Sequence, residues 1–337
     1  MRYLTLDVGG ANLKSALVVI KDGKTEVESY GYDYFPVWKR KDLTDYLRKA
    51  SPDSSFDHLA VTFTAEVSDA FPDKKTGVEQ IISSVASAFP WKDFLVLSNK
   101  GELLTPSQAV SNYLKVASAN WYASAYLASR LFGNGIHADM GSTTTDLIPV
   151  INGKVSAEGK TDLERLASSE LVYTGALRSS LSALSSKAPL NGRLVGVANE
   201  YFACTGDVYT LLGLLREKDY ISETPDGRGK SRKECMQRIA RLFLADGCEL
   251  DEKQLKDTAS YYMQEQLKLL GESIKNIALR DGVGRRIIGS GIGVFLLEKA
   301  ARKTGMQYAS LSSFFGDAHV AAPCIGLACL IHDGNVK

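Results

Sequence analysis

The 337 residues are 45% hydrophobic and 23% charged, with 40 Lys+Arg against 39 Asp+Glu and a net charge of +1. That composition excludes a disordered, collagen-like or fibrous chain, and the near-neutral balance argues against a nucleic-acid binder or a polybasic membrane binder. At about 150 residues per domain the length suggests two domains.

The longest apolar run near the end, 321–331, falls short of the roughly 20 residues a bilayer span needs. Asp7 interrupts the first ten residues, so no secretion signal is expected. The five cysteines, Cys204, Cys235, Cys248, Cys324 and Cys329, form no CxxC and no even framework, which suggests reduced thiols in a cytoplasmic protein. Four scattered histidines offer no zinc spacing.

In chain order, the first unit is a strand running into Asp7-Val8-Gly9-Gly10-Ala11-Asn12-Leu13-Lys14, a second apolar stretch over 15–20, the hairpin signal Asp22-Gly23, and a third stretch over 25–30. A helix is predicted over 43–49, a strand over 58–64, a helix over 77–89 and a strand over 94–98. A long helical stretch covers 107–131, and Gly133-Asn134-Gly135 marks the main boundary. Then the first unit recurs: a strand into Asp139-Met140-Gly141-Ser142-Thr143-Thr144, an apolar stretch over 147–151, the hairpin signal Asn152-Gly153, and a short stretch over 154–157. Most of 161–279 has a helical pattern, broken by a polar loop over 223–229. A strand over 286–288 enters Gly289-Ser290-Gly291-Ile292-Gly293 and a helix over 294–303, and a closing helix over 322–331 returns to the first domain. The first domain is therefore 1–134, completed by about 306–337. The second is 135–305, with a helical insertion over about 160–285.

One Asp-x-Gly turn is weak evidence, since turns often use these residues. Two copies in matching hairpins point to phosphate. Bare glycine backbone at Gly9, Gly10 and Gly141 admits a close ligand, and successive N–H groups make an anion-binding nest. Asn12, Lys14, Ser142, Thr143 and Thr144 add donors or charge, and Gly289 and Gly291 extend the set at a helix N-terminus. Asp7 and Asp139 would repel a phosphate unless they hold Mg²⁺ beside it. The competing explanation is a pair of structural turns with capping aspartates.

Glu66 and Asp69 are the candidate acid/base residues, on one face if a helical turn follows the strand; an acidic helix N-terminus is the alternative. Asn120 and Trp121 are candidate substrate contacts, Trp121 as a stacking ring or as core. Glu200 and Asp207 are candidates for recognising a polar substrate end, with helix capping as the competing role for Asp207.

The two hairpin units and the late glycine turn resemble the acetate and sugar kinase/Hsp70/actin superfamily. The implied fold is α/β: duplicated ribonuclease H-like (actin-like ATPase) domains with a helical insertion in the second. The segments 6–14, 62–71, 119–121, 139–146, 172–176, 200–209 and 224–228 together resemble the hydantoinase/oxoprolinase-like proteins of the tetrahydromethanopterin-linked one-carbon pathway, the aryl-ether synthase family of methanofuran biosynthesis. That resemblance implies a transferase joining an (aminomethyl)furan-methyl diphosphate to the phenol of γ-glutamyltyramine, with release of diphosphate. Mg²⁺ is the expected cofactor and small molecules the expected partners, with no nucleic acid and no membrane. The alternatives are an ATP-dependent small-molecule kinase and a non-catalytic nucleotide switch, so ATP and a homo-oligomer stay open. Ala11 stands where many sugar kinases have Thr, which weakens the ATP reading.

Overall fold

The computed structural model describes residues 1–39, 42–50 and 55–335. The first sheet holds β1 (Arg2–Val8), β2 (Asn12–Lys21), β3 (Lys24–Tyr34), β4 (His58–Phe63), β5 (Phe94–Leu97) and β6 (Leu103–Leu104), in the order β3-β2-β1-β4-β5-β6. β1 pairs antiparallel with β2 and parallel with β4. The second sheet holds β7 (Gly135–Met140), β8 (Thr145–Ile151), β9 (Lys154–Val155) and β10 (Leu171–Val172). A separate antiparallel ribbon, β11 (Lys187–Leu190) with β12 (Arg193–Gly196), comes next in the chain. The later strands β13 (Arg286–Ser290) and β14 (Gln307–Ser310) complete the second sheet in the order β10-β8-β7-β13-β14, with β9 on β8. β7 again pairs antiparallel with its hairpin partner β8 and parallel with the later strand β13. The two Asp-x-Gly strands thus occupy the same place in two sheets of like connectivity.

Alternation along β1 explains the layers. Leu4, Leu6 and Val8 pack with Val78, Ile81, Ile82 and Val85 of the helix Lys74–Ala88. Tyr3 points the other way, into a core with Ala123 and Leu127 of Asn120–Phe132 and Ile325 and Ala328 of Ala322–Asn335. Both faces of the first sheet are therefore covered, and each buried aliphatic side chain contributes about 1.5–3 kcal/mol. Asn120–Phe132 also reaches the second sheet, where Trp121 and Ala125 pack on Ile148 of β8. Helix Glu252–Ala278 lays Leu267, Leu270 and Ile274 into the core of the second sheet.

The 107–131 stretch is not one helix. It divides into Pro106–Ser111, Tyr113–Val116 and Asn120–Phe132, with Ser118 at φ +48° in the break. Periodicity misses this because the residues either side stay apolar and the break is imposed by a tertiary contact, described below. The 160–285 region likewise contains the β11–β12 ribbon, closed by Asn191-Gly192, both with positive φ, at the turn. By length and composition the segment Ser312–Gly334 could cross a membrane, but 67% of its apolar window is buried inside the protein.

Candidate functional site

The two Asp-x-Gly turns face each other across a cavity of about 450 Å³, within the usual range of small-molecule sites. Each turn closes with the same bond: Gly9 N–H donates to the Asn12 carbonyl and Gly141 N–H to that of Thr144, both at 2.9 Å. Those two N–H groups are spent on the turns, a change from their expected role as phosphate donors. A methyl group on Gly9 would strike the Asn12 carbonyl oxygen at 2.7 Å, whereas Gly10 and Gly141 have no neighbour nearer than 3.9 and 3.7 Å. Gly10 and Gly141 therefore present bare backbone to the cavity.

The turns also touch. Ser142 Oγ donates to Asn12 Oδ1 at 2.7 Å, so these side chains lock one half to the other. Arg178 Nη1 donates to Thr143 Oγ1 at 3.2 Å and its guanidinium lies 4.9 Å over the Trp38 ring. Among the described residues Arg178 has no carboxylate within ion-pair distance, although it lines the cavity. Sequence reasoning missed it; the available signal was a cation two residues past the 172–176 motif.

Asp7 and Asp139 sit at the ends of β1 and β7, buried. Asp7 Oδ2 meets Lys14 Nζ at 3.3 Å and Asn120 Nδ2 at 3.3 Å. Burial raises the Asp7 pKa while Lys14 opposes the rise. Burial works against the Lys14 ammonium, yet Asp7 and Asp139 outweigh it and hold its pKa above the ordinary value. Asp7 Oδ1 and Asp139 Oδ1 are buried without a hydrogen-bond partner, as are the hydroxyls of Thr62 and Ser290. Thr62 is the parallel-strand partner of Asp7, and Ser290 that of Asp139. Each elbow thus carries the same unsatisfied pair, one carboxylate oxygen and one hydroxyl. Leaving such groups unpaired costs about 1–3 kcal/mol apiece; of these four residues only Asp7 lines the cavity, and Asp139, Thr62 and Ser290 do not. Among the described residues no group of three or more His, Cys, Asp or Glu is assembled for a metal. Asp7 brings one such carboxylate oxygen to the cavity, which suits Mg²⁺, an ion that keeps several waters and binds through one or two carboxylates plus substrate phosphate; Asp139 Oδ1 instead packs against Gly291.

Glu66 and Asp69 do not share a face. Thr64 leads into a single 3-10 turn, Ala65–Val67, after which Ser68 is extended, so Glu66 turns inward and Asp69 stays at the cavity rim. Glu66 Oε1 accepts from Ser118 N at 2.9 Å and lies 3.0 Å from Ser118 Oγ. Burial pushes the Glu66 pKa up to about 7. Ser118 Oγ also lies 2.7 Å from Asp162 Oδ2, and Asp162 Oδ1 accepts from Arg165 Nη2 at 2.7 Å. Arg165 further bonds Asp146, the cross-strand partner of Asp139. Ser118, Asp146, Asp162 and Arg165 all line the cavity. None was a candidate, because 118, 146 and 162–165 are far apart in sequence and meet through folding alone.

Several other candidates move. Asn120 is at the cavity but holds Asp7. Trp121 is 1% exposed and lies beneath Arg165, whose guanidinium is 5.0 Å from the ring centroid, so it supports that residue and does not line the cavity. Glu200 is exposed away from the cavity lining. Asp207 is buried in a separate network, accepting from Arg238 Nε at 2.8 Å and Cys204 N at 3.0 Å. Gly289 and Gly291 do not line the cavity either. A Cβ at Gly289 would fall 2.3 Å from the Tyr308 hydroxyl, and one at Gly291, φ +82°, 2.4 Å from Asp139 Oδ1. These two glycines are required by packing of the protein on itself.

The duplicated sheets define an α/β protein of the actin-like ATPase and sugar kinase fold. The nucleotide-free structure of acetone carboxylase shares it, at a TM-score of 0.55 and 11% identity over 96% of this chain and 70% of that one. The chain belongs to the hydantoinase/oxoprolinase family, whose model matches residues 57–333. It is 37% identical over 334 residues, 97% of both chains, to the (4-{4-[2-(gamma-L-glutamylamino)ethyl]phenoxymethyl}furan-2-yl)methanamine synthase of Methanocaldococcus jannaschii. It is 33% identical to the Methanococcus vannielii protein of the same name, over 61% of this chain and 94% of that one.

Proposed function

We propose that this protein is a transferase that joins an (aminomethyl)furan-methyl diphosphate to the phenol of γ-glutamyltyramine, forming the aryl ether and releasing diphosphate. The observation that carries the reading is the 37% identity to a synthase of that ether, spread over 97% of both chains. The cavity chemistry supports it. The leaving group is a polyanion, and bare backbone at Gly10 and Gly141, the Thr143 and Thr144 hydroxyls and the Arg178 guanidinium converge where it would lie. Charge-assisted hydrogen bonds are worth roughly 1.5–3 kcal/mol each.

Mg²⁺ is proposed at Asp7, whose Oδ1 has no hydrogen-bond partner at the cavity, with Asp139 behind the lining acting through bound water. It would offset the charge of the departing diphosphate. Trp38, Val67, Leu166 and Tyr173 line the cavity with exposed side chains that offer apolar surface. They suit a furan and a phenyl ring. The substrates are small molecules on this reading. The free cysteines, four of them buried, suit a reducing cytoplasm.

The test is direct. Purified protein with Mg²⁺, the furan-methyl diphosphate and γ-glutamyltyramine is expected to yield diphosphate and the ether by mass spectrometry without ATP. ADP formed from ATP and an acceptor, with no ether from the diphosphate, would replace this reading by a kinase.

A further inference from the structure

Ser118 has a single hydroxyl proton and two carboxylates around it. Its Oγ is 3.0 Å from Glu66 Oε1 and 2.7 Å from Asp162 Oδ2, both acceptors when ionised. One hydroxyl hydrogen cannot serve both contacts, so the trio is complete only with one further proton. Asp162 is ion-paired to Arg165, whereas Glu66 has no cation within ion-pair distance among the described residues and keeps Oε2 buried without a partner. The extra proton therefore rests on Glu66, donated to Ser118 Oγ, while Ser118 donates to Asp162. Asp162 and Ser118 line the cavity and Glu66 lies behind them.

Backbone strain at the same place is a second observation. Ser118 is held at φ +48°, a region that non-glycine residues seldom adopt. This backbone turns the N–H to Glu66 and sets the hydroxyl between Glu66 and Asp162. Asn120, two residues on, holds Asp7, so one helix break serves both the phosphate elbow and the carboxylate chain.

We propose that Asp162, Ser118 and Glu66 form a proton relay that carries the phenolic proton of the acceptor substrate out of the cavity. The inference rests on the proposed reaction and extends it. As the phenol O–H bond breaks, its proton passes to Asp162. A proton moves from Asp162 to Ser118 Oγ, and the Ser118 hydroxyl proton moves to an ionised Glu66. The phenolate oxygen forms the new bond to the furan CH₂, and the CH₂–O bond breaks with its electron pair leaving on diphosphate. Asp162 is the catalytic residue in this scheme; Ser118 and Glu66 act through it.

The charged groups facing the relay are few. Asp162 faces Glu66 across Ser118, and Arg165 and Asp146 lie beyond. The helix Lys74–Ala88 presents Gly77 to Glu66, its absent side chain 2.7 Å from the Glu66 Cα. The relay accepts a proton when Glu66 is ionised, so kcat is expected to rise with pH through the neutral range.

The experiment compares kcat, KM and the pH profile of ether formation in the wild-type protein, Glu66→Gln and Ser118→Gly. Glycine tolerates the left-handed backbone and keeps the N–H bond to Glu66, so this variant isolates the hydroxyl; thermal unfolding checks that both variants fold. Expected are kcat losses of about 100-fold, the low end of general acid-base effects being 10²-fold, with KM for the diphosphate substrate within twofold. The neutral-range pH rise should vanish in Glu66→Gln. A ring-fluorinated acceptor with a more acidic phenol should recover much of the loss in both variants. A wild-type pH profile kept by Glu66→Gln, or equal losses with both acceptors, overturns the relay while the reaction stands. Wild-type protein that makes no ether overturns the reaction itself.

Discussion

The two Asp-x-Gly hairpins share connectivity and turn closure yet differ in charge. Opposite Asp7 on the neighbouring strand stands Lys14, at bonding distance. Opposite Asp139 stands Asp146, whose carboxylate is held by Arg165 from outside the hairpin. The parallel neighbours diverge too. β4 runs into a turn that buries Glu66, while β13 runs into glycines that pack on Asp139 and Met140. A duplicated scaffold therefore carries two different chemistries. The first half brings a half-buried cation on the hairpin itself and a buried acid; the second brings hydroxyls and arginines from outside its hairpin. What stays common is the unsatisfied carboxylate oxygen with its neighbouring hydroxyl.

If both elbows grip one polyanion despite these differences, Asp7→Asn and Asp139→Asn should each cut ether formation by about 100-fold or more, roughly the 2.7 kcal/mol and upward of a lost electrostatic stabiliser. Circular dichroism should stay native. A near-normal rate in either variant would make that elbow structural only. Arg178→Ala removes a second-half cation and should raise KM for the diphosphate substrate about tenfold, the effect of one charge-assisted bond worth about 1.5 kcal/mol; an unchanged KM would remove Arg178 from the leaving-group site.

The buried acid of the first half has a stability signature. Burial raises the Glu66 pKa to about 7, above the ordinary carboxyl value of 4.5, so the native state holds this proton more tightly than the unfolded chain. Stability from it is fully present below about pH 4.5 and is lost as pH rises to about 7. Denaturant titrations across this window should show wild-type stability falling, by an amount on the order of 3 kcal/mol, relative to Glu66→Gln. Parallel curves would contradict the burial. Ser142→Ala, which cuts the Asn12 link between the halves, should cost about 1 kcal/mol and change the rate least.

The sequence makes the scaffold visible because its signals are local. Asp22-Gly23 and Asn152-Gly153 do form the hairpin turns, with positive φ at all four residues. Asp7, Asn12, Lys14 and Ser142 meet at the site because each follows from a turn. The other half of the site was hidden. Ser118 looks like one more residue in a helical run, and Asp162 like a helix cap region. Only the fold brings 66, 118 and 162 together. Asp207 misled because a buried carboxylate in a structural network with Arg238 has the same sequence appearance as a binding residue.

Isothermal titration of inorganic diphosphate with Mg²⁺ into the wild-type protein, Asp7→Asn, Asp139→Asn and the double variant tests the shared grip most directly. Each single variant is predicted to weaken binding, and the double variant to lose clearly less than the sum of the two free-energy losses, as coupled partners do. Independent, additive losses, or binding that ignores either aspartate, would contradict a single anion held between the two halves.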